Sequence, residues 1–237
     1  MQWPSGEEDW VKDDADLHGG WTITPCRFLF TRALPQLVYV PSIWVRIPLR
    51  GSEQEEASDL LPAINSIVTD HELPEPHLVV AGQGAVVVLW HVQALHYPPA
   101  LKLEATPEER AAHNVATHAY TKGLVAWSRA VVKLSMAFAS LGAEPHTPSS
   151  AKLQLLEHIP FPMRAGEHHP AFDARSLDDT SEPPTLLQAG EGVVLSTTTA
   201  ISKALARYDG AMWATYKQAR PAKRANTRWL ETETTVS

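Results

Sequence analysis

His77-Leu78-Val79-Val80-Ala81-Gly82-Gln83-Gly84-Ala85-Val86-Val87-Val88-Leu89-Trp90-His91-Val92 places two apolar, β-branched runs on either side of a short glycine-bearing turn. The pattern predicts a β-hairpin with a four-residue connection, Ala81 to Gly84. The second run has no polar residue between Ala85 and Trp90, so it predicts a strand buried on both faces. Upstream, Trp21-Thr22-Ile23, Arg27-Phe28-Leu29-Phe30, Leu37-Val38-Tyr39-Val40 and Ile43-Trp44-Val45-Arg46-Ile47 predict short strands. Pro25, Pro35, Pro41 and Pro48 fall between them, as expected of sheet edges or strand ends.

Helices flank the hairpin. Ser52-Glu53-Gln54-Glu55 matches a capping box, and Ala57, Leu60, Leu61, Ile64 and Val68 recur at helical spacing, predicting a helix over 53–69 with Pro62 as a kink or restart. Thr106-Pro107-Glu108-Glu109 sets an N-cap, a proline at N1 and a glutamate at N3. The helix it opens is expected to run to about residue 141, with a break at Gly123 and Gly142 past its end. Residues 152–159 read as a further strand, with Leu153, Leu155 and Glu157 facing one way. Residues 198–217 read as a last helix, carrying Ile201, Leu205, Tyr208, Met212 and Tyr216. The expected class is α+β, a mainly antiparallel sheet with packed helices. The expected layout is an acidic N-terminal tail over 1–20, an α+β domain over 21–162, a linker or surface loop over 163–192, and a C-terminal helix and basic tail over 193–237.

Composition narrows the function classes. The chain has 237 residues, one cysteine, 20 Lys+Arg and 27 Asp+Glu, for a formal charge of −7. A lone Cys26 excludes an internal disulfide and a cysteine-based zinc site. The acidic start lacks the chemistry of a targeting peptide and no run reaches membrane-span length, so the cytoplasm is the expected compartment, with no membrane partner. The charge is uneven: Glu7, Glu8, Asp9, Asp13, Asp14 and Asp16 crowd the start, whereas Lys217, Arg220, Lys223, Arg224 and Arg228 stand near the end without an acid among them. Those five cations, with Trp229 as a stacking ring, are the candidates for binding nucleic acid. A pair of solvated tails would look the same.

The usual catalytic signatures are missing. His91/His96 and His113/His118 are each five apart, which on a helix points them about 140° from each other, the wrong spacing for zinc. The chain has no Gly-x-Ser-x-Gly and no P-loop, and Gly82-Gln83-Gly84 precedes a strand, not a helix. Cys26, after a proline at a strand start, reads as a small buried hydrophobe.

One arrangement of segments does resemble a family. Ile43-Trp44-Val45-Arg46-Ile47-Pro48-Leu49, a helix, Leu73-Pro74-Glu75-Pro76, the hairpin through Gly84, and Val87-Val88-Leu89-Trp90 are similar in order and spacing to the core of archaeo-eukaryotic primase-like domains of plasmid, phage and integrative-element replication proteins. Ser140-Leu141-Gly142-Ala143-Glu144 and Leu155-Leu156-Glu157-His158-Ile159-Pro160-Phe161-Pro162 fall where that family has Leu-Gly-Ala-Asp and Arg-x-Pro-Gly. The resemblance spans about residues 37–163 and implies a primase-like fold with an RRM-like core. It implies a nucleotide cleft around Ala81, Gly82, Gln83, Gly84 and Trp90.

It also exposes the departures. Arg46-Ile47-Pro48 stands where the family carries Asp-x-Asp, Ala81 replaces a serine, the histidine after the turn is missing, and Glu157 or His158 falls at the arginine. Two-metal phosphoryl transfer needs carboxylates that bridge two ions. The expectation is therefore a non-catalytic primase-like domain, with no catalytic or metal-ligating residue and no cofactor, that binds DNA, RNA or replication proteins. One alternative is a protein-interaction module of unrelated α+β fold, using the eight tryptophans as anchors. Another is an active primase or polymerase with relocated acids and Mg²⁺ or Mn²⁺.

Overall fold

The hairpin seeds the sheet. In the computed structural model, which describes residues 20–23, 25–29, 32–49, 53–162, 175–176, 184–190 and 195–218, β4 (Leu78–Gly82) and β5 (Ala85–His96) pair antiparallel from Leu78↔Leu89 to Gly82↔Ala85. The connection is two residues, not four. Gln83 and Gly84 have φ of 53° and 70°, the doubly left-handed backbone of a type I′ turn, whose twist matches that of paired strands. Ala81 and Gly82 belong to β4. As expected, Ala85 to Trp90 are all buried.

β3 (Leu37–Pro48) runs along the other side of β5, from Tyr39↔His96 to Pro48↔Ala85. It is one twelve-residue strand where the prolines suggested two. Pro41 sits at the register shift between Val40 and Ser42, a bulge where a missing N–H costs no ladder bond. β2 (Arg27–Phe28) and β8 (Thr185–Ala189) complete an antiparallel sheet of order β2-β3-β5-β4-β8. The stretch read as a linker or surface loop thus holds a sheet strand at 185–189. A three-stranded sheet joins β1 (Gly20–Ile23) to β6 (Ile159–Pro162) and β7 (Arg175–Ser176) in the order β6-β1-β7.

Helix α1 (Glu53–Asp70) carries Pro62 within an unbroken helix and connects β3 to β4, with β5 inserted between those two strands. This is a split β-α-β unit. Helix α2 (Pro107–Ala137) starts on the expected box: Thr106 Oγ1 accepts from the Glu109 N–H, and the Glu109 carboxylate accepts from the Thr106 N–H at 2.7 Å. It passes Gly123 without a break. A Cβ there would lie 2.5 Å from Leu95 Cδ2, so this glycine serves close helix–strand packing. The helix tightens into a 3₁₀ turn over Ala139–Leu141 and stops at Gly142, with φ 95°.

Two sequence expectations fail here. Residues 152–159 are not a strand: helix α3 (Pro148–Gln154) takes in the first three, a turn follows, and β6 begins only at Ile159. Thr147-Pro148-Ser149-Ser150 repeats the N-cap and N1-proline signal of α2, and Thr147 and Ser150 close a reciprocal cap. The C-terminal helix is also interrupted, into α4 (Thr198–Ala204), a 3₁₀ turn over Ala206–Tyr208, and α5 (Asp209–Gln218). At the break, the buried Lys133 of α2 donates to Ser202 O at 2.7 Å and pairs with Asp209 Oδ1 at 2.5 Å. One ammonium therefore ties both segments to α2.

Beyond Tyr39, β3 pairs with β5 alone among the described residues. Its other edge is sealed by side chains: Trp127 Nε1–H of α2 donates to Ser42 O at 2.8 Å, and Gln154 Nε2–H of α3 donates to Trp44 O at 3.1 Å. These carbonyls lie two residues apart and so point the same way. Trp44, Trp90, Trp127 and Phe138 are fully buried at the centre of the core. Tryptophan anchors are therefore absent at these three positions, whereas Trp213 on α5 is 44 % exposed. No described helix is long and apolar enough to cross a membrane.

Removing one sealing donor leaves a buried carbonyl without a partner. Trp127→Phe is expected to lower stability by about 2–4 kcal/mol, from the lost bond plus the cavity, read as a lower urea midpoint with unchanged slope. A loss no larger than that of an ordinary surface substitution contradicts the sealing role.

A second prediction concerns acid. Burial, and then the charge of His77, push the His91 pKa from 6.5 down to about 3. His71 and His146 are lowered too, chiefly by burial. The fold favours the neutral imidazole, so this stability is complete above the ordinary value and drains as pH falls toward 3. His91→Gln is expected to flatten the urea midpoint between those pH values. Parallel profiles for the two proteins contradict the assignment.

Candidate functional site

The end of β3 alternates. Val45 and Ile47 are buried, while Arg46 and Pro48, two residues apart, face out together. They open onto a cleft of about 260 Å³ lined also by Glu144, His146, Gln154 and Glu157. Each wall has a local cause. The left-handed Gly142 reverses the chain after α2, with Ala143 N–H bonded back to Phe138 O at 3.3 Å. The loop that follows presents Glu144 and His146 between two fixed points, the His146 N–H on Ser135 Oγ at 2.9 Å and the Thr147 cap of α3. Gln154 ends α3, and a last turn, Glu157 N–H to Gln154 O at 2.9 Å, brings Glu157 round beside it.

The hairpin turn forms another rim. Arg46 Nη2–H donates to Gln83 O at 3.1 Å, spending one of its donors. The guanidinium charge still reaches Glu157. Burial raises the Glu157 pKa, Arg46 opposes that and Glu144 adds to it, and burial prevails. His146 is held toward its neutral form by burial, against Glu144. At the floor, Gln154 is 1 % exposed. Its Nε2 is fixed by donation to Trp44 O, which can only accept, and its Oε1 is buried without a partner among the described residues.

The sequence candidates divide sharply. Of the expected nucleotide cleft, only Gln83 reaches the site, through its carbonyl. Ala81 is buried in β4. Gly82 is explained by packing, since a Cβ there would meet Pro160 Cβ at 3.0 Å and Pro184 at 3.3 Å. Gly84 supplies a left-handed turn position. Trp90 is a core residue, fully buried, donating to Pro74 O at 2.8 Å and packed edge-on against Phe138. Lys217 is exposed on α5, while Arg220, Lys223, Arg224, Arg228 and Trp229 lie outside the described residues. Glu144, His146 and Gln154 were not singled out from sequence as site residues. Glu144 and Glu157 had one signal, their places in the two matched segments.

Those places do converge. Arg46 and Pro48 stand where the resemblance expects two acids, Glu144 where it expects one, and Glu157 or His158 where it expects an arginine; Arg46, Pro48, Glu144 and Glu157 line one cleft. On β3 a cation stands in place of an expected anion. The side chains of Arg46 and Pro48 offer a divalent ion no oxygen ligand, and the guanidinium repels it. Among the described residues no three of His, Cys, Asp and Glu cluster to hold a metal.

Fold and cleft together define an α+β domain whose five-stranded antiparallel sheet carries a small polar cleft at one strand end. No family model matches the chain, and no curated protein does. Among solved structures, the AEP domain of the cyanophage S-2L primase-polymerase (PrimPol) is similar over 76 % of this chain and 68 % of that one, at 10 % identity and a TM-score of 0.37. At that score the overlay assigns no residue and no activity.

Proposed function

We propose that this chain is a primase-like domain that does not polymerise and that binds nucleic acid within a replication apparatus. What supports the reading is the cleft, lined from three separated segments by positions that the resemblance matches to acids and an arginine, with Arg46 in place of an acid and Glu157 at or beside the arginine. Arg46 stands between carboxylates as a fixed cation. A cation built into the chain organises charge but cannot activate a 3′-hydroxyl as a bound divalent ion does. The binding half rests on the run Lys217, Arg220, Lys223, Arg224, Arg228, five cations in twelve residues with no acid. Phosphate affinity of that kind is sequence-tolerant and salt-dependent.

A second reading has its own observation. Leu103, in the loop before α2, and Val115, on the solvated first half of that helix, are 98 % and 71 % exposed, with Tyr97 and Leu101 also exposed in that loop. Apolar side chains there favour a protein partner.

Two assays on the full chain separate these readings. Primer synthesis with Mg²⁺ or Mn²⁺ is expected to yield nothing, and a labelled primer overturns the non-catalytic half. Binding to single-stranded oligonucleotides is expected to weaken with salt at a log–log slope of roughly −3.5 if all five cations engage. The triple variant Lys223→Ala, Arg224→Ala, Arg228→Ala is expected to reduce that slope by about 2. No binding at low salt, or a salt-independent constant, rejects the nucleic-acid half and leaves the protein partner.

A further inference from the structure

We infer that the outward face of the first half of α2 pairs with the same face of a second copy of this chain, antiparallel and about a two-fold axis at Val115. The inference names the partner for the second reading above and stands whether or not the chain binds nucleic acid. It starts from the orientation of the helix, which its contacts fix. One side turns to the domain: Tyr120 is buried, its hydroxyl donates to Leu37 O at 2.8 Å, and His113 and Tyr120 both meet the Tyr97 ring edge-on. The opposite side carries Val115, 71 % exposed.

At about 100° per residue, positions four and seven away from Val115 lie within about 40° of it. They are Ala111 and Ala119, then Glu108 and Lys122, and all four are exposed among the described residues. Exposed alanines suit a helix by propensity alone. A β-branched valine does not, so propensity leaves Val115 at the centre of this face unexplained.

The order of the charges selects a second copy as the occupant. About Val115 the face is symmetric in side-chain size and opposite in charge at its two ends. An antiparallel pair centred there sets each residue before Val115 beside the one equally far after it on the other copy. Glu108 then meets Lys122 of the other copy at both ends, and the alanines meet between them. A parallel pair would set Glu108 against Glu108 and Lys122 against Lys122, so charge disfavours that register. Small side chains let the helix axes approach to about 8 Å, within reach of both ion pairs. A contact of four turns is small for a protein interface, so the dimer is weak and concentration-dependent. Because each copy uses the same patch, assembly closes at two.

Sedimentation equilibrium of the full chain tests this. A monomer–dimer equilibrium with a dissociation constant of about 10–100 µM is expected, without larger species. Val115→Glu, which sets two like charges on the axis, is expected to weaken the dimer at least about 100-fold. Glu108→Lys and Lys122→Glu are each expected to weaken it about tenfold. The double variant Glu108→Lys, Lys122→Glu is expected to restore it, which loss of helical structure cannot do. A wild type that stays monomeric at about 500 µM, a dimer indifferent to Val115→Glu, or a double variant no better than the single ones overturns the proposal. A monomeric wild type that still binds oligonucleotides overturns this inference alone and leaves the face to a different protein or to another segment of the chain.

Discussion

Among the described residues, β3 from Ser42 onward has a strand on one side only, and the hydrogen-bonding needs of its other edge shape much of the molecule. A buried strand edge must find donors for its carbonyls. Here two helices supply them, Trp127 from α2 and Gln154 from α3. Each bond fixes a helix at a set height along the strand, and the indole also fills the core, packed edge-on against Trp44 at 5.8 Å. The arrangement reaches the cleft through Gln154, which holds the strand by its amide nitrogen and also lines the cleft.

The electrostatics of the cleft follow from the same frame. Strand alternation points Arg46 outward, the type I′ turn offers it a carbonyl, and the short last turn of α3 carries Glu157 round to face it. The guanidinium cannot lose its charge, so it acts as a permanent counter-ion. The carboxyls adjust to it: burial lifts Glu157, and Arg46 restrains the rise. This is a site of fixed polarity.

Local signals were legible where one segment carried them. The hairpin was plain because Gly82-Gln83-Gly84 interrupts two apolar runs, and the start of α2 because Thr106, Pro107 and Glu109 each satisfy a helix end. The turn was misjudged by two residues, since Ala81 and Gly82 are small enough to read as loop yet pair as strand. The same cap chemistry at Thr147 and Pro148 was overlooked because Leu153 and Leu155 mimic strand alternation; the structure shows Leu153 55 % exposed and Leu155 buried. The site was harder to see. Arg46, Glu144 and Glu157 come from segments about 100 residues apart, brought together by long-range pairing that no local periodicity encodes. Trp90 read as a cleft residue only through its place at the end of the matched strand, whereas its indole fills the core. Gln154 gave no sequence signal at all, as its role depends on which carbonyl lies across from it.

The central claim is that Arg46 and Glu157 form one electrostatic unit, with the arginine as the built-in cation of the cleft. Titration of the Glu157 side-chain carboxyl by ¹³C NMR, in the wild type and in Arg46→Met, tests it most directly. The account predicts a Glu157 pKa above the ordinary carboxylate value in the wild type and a further rise once the guanidinium is gone. A Glu157 that titrates at the same pH with and without Arg46 contradicts it.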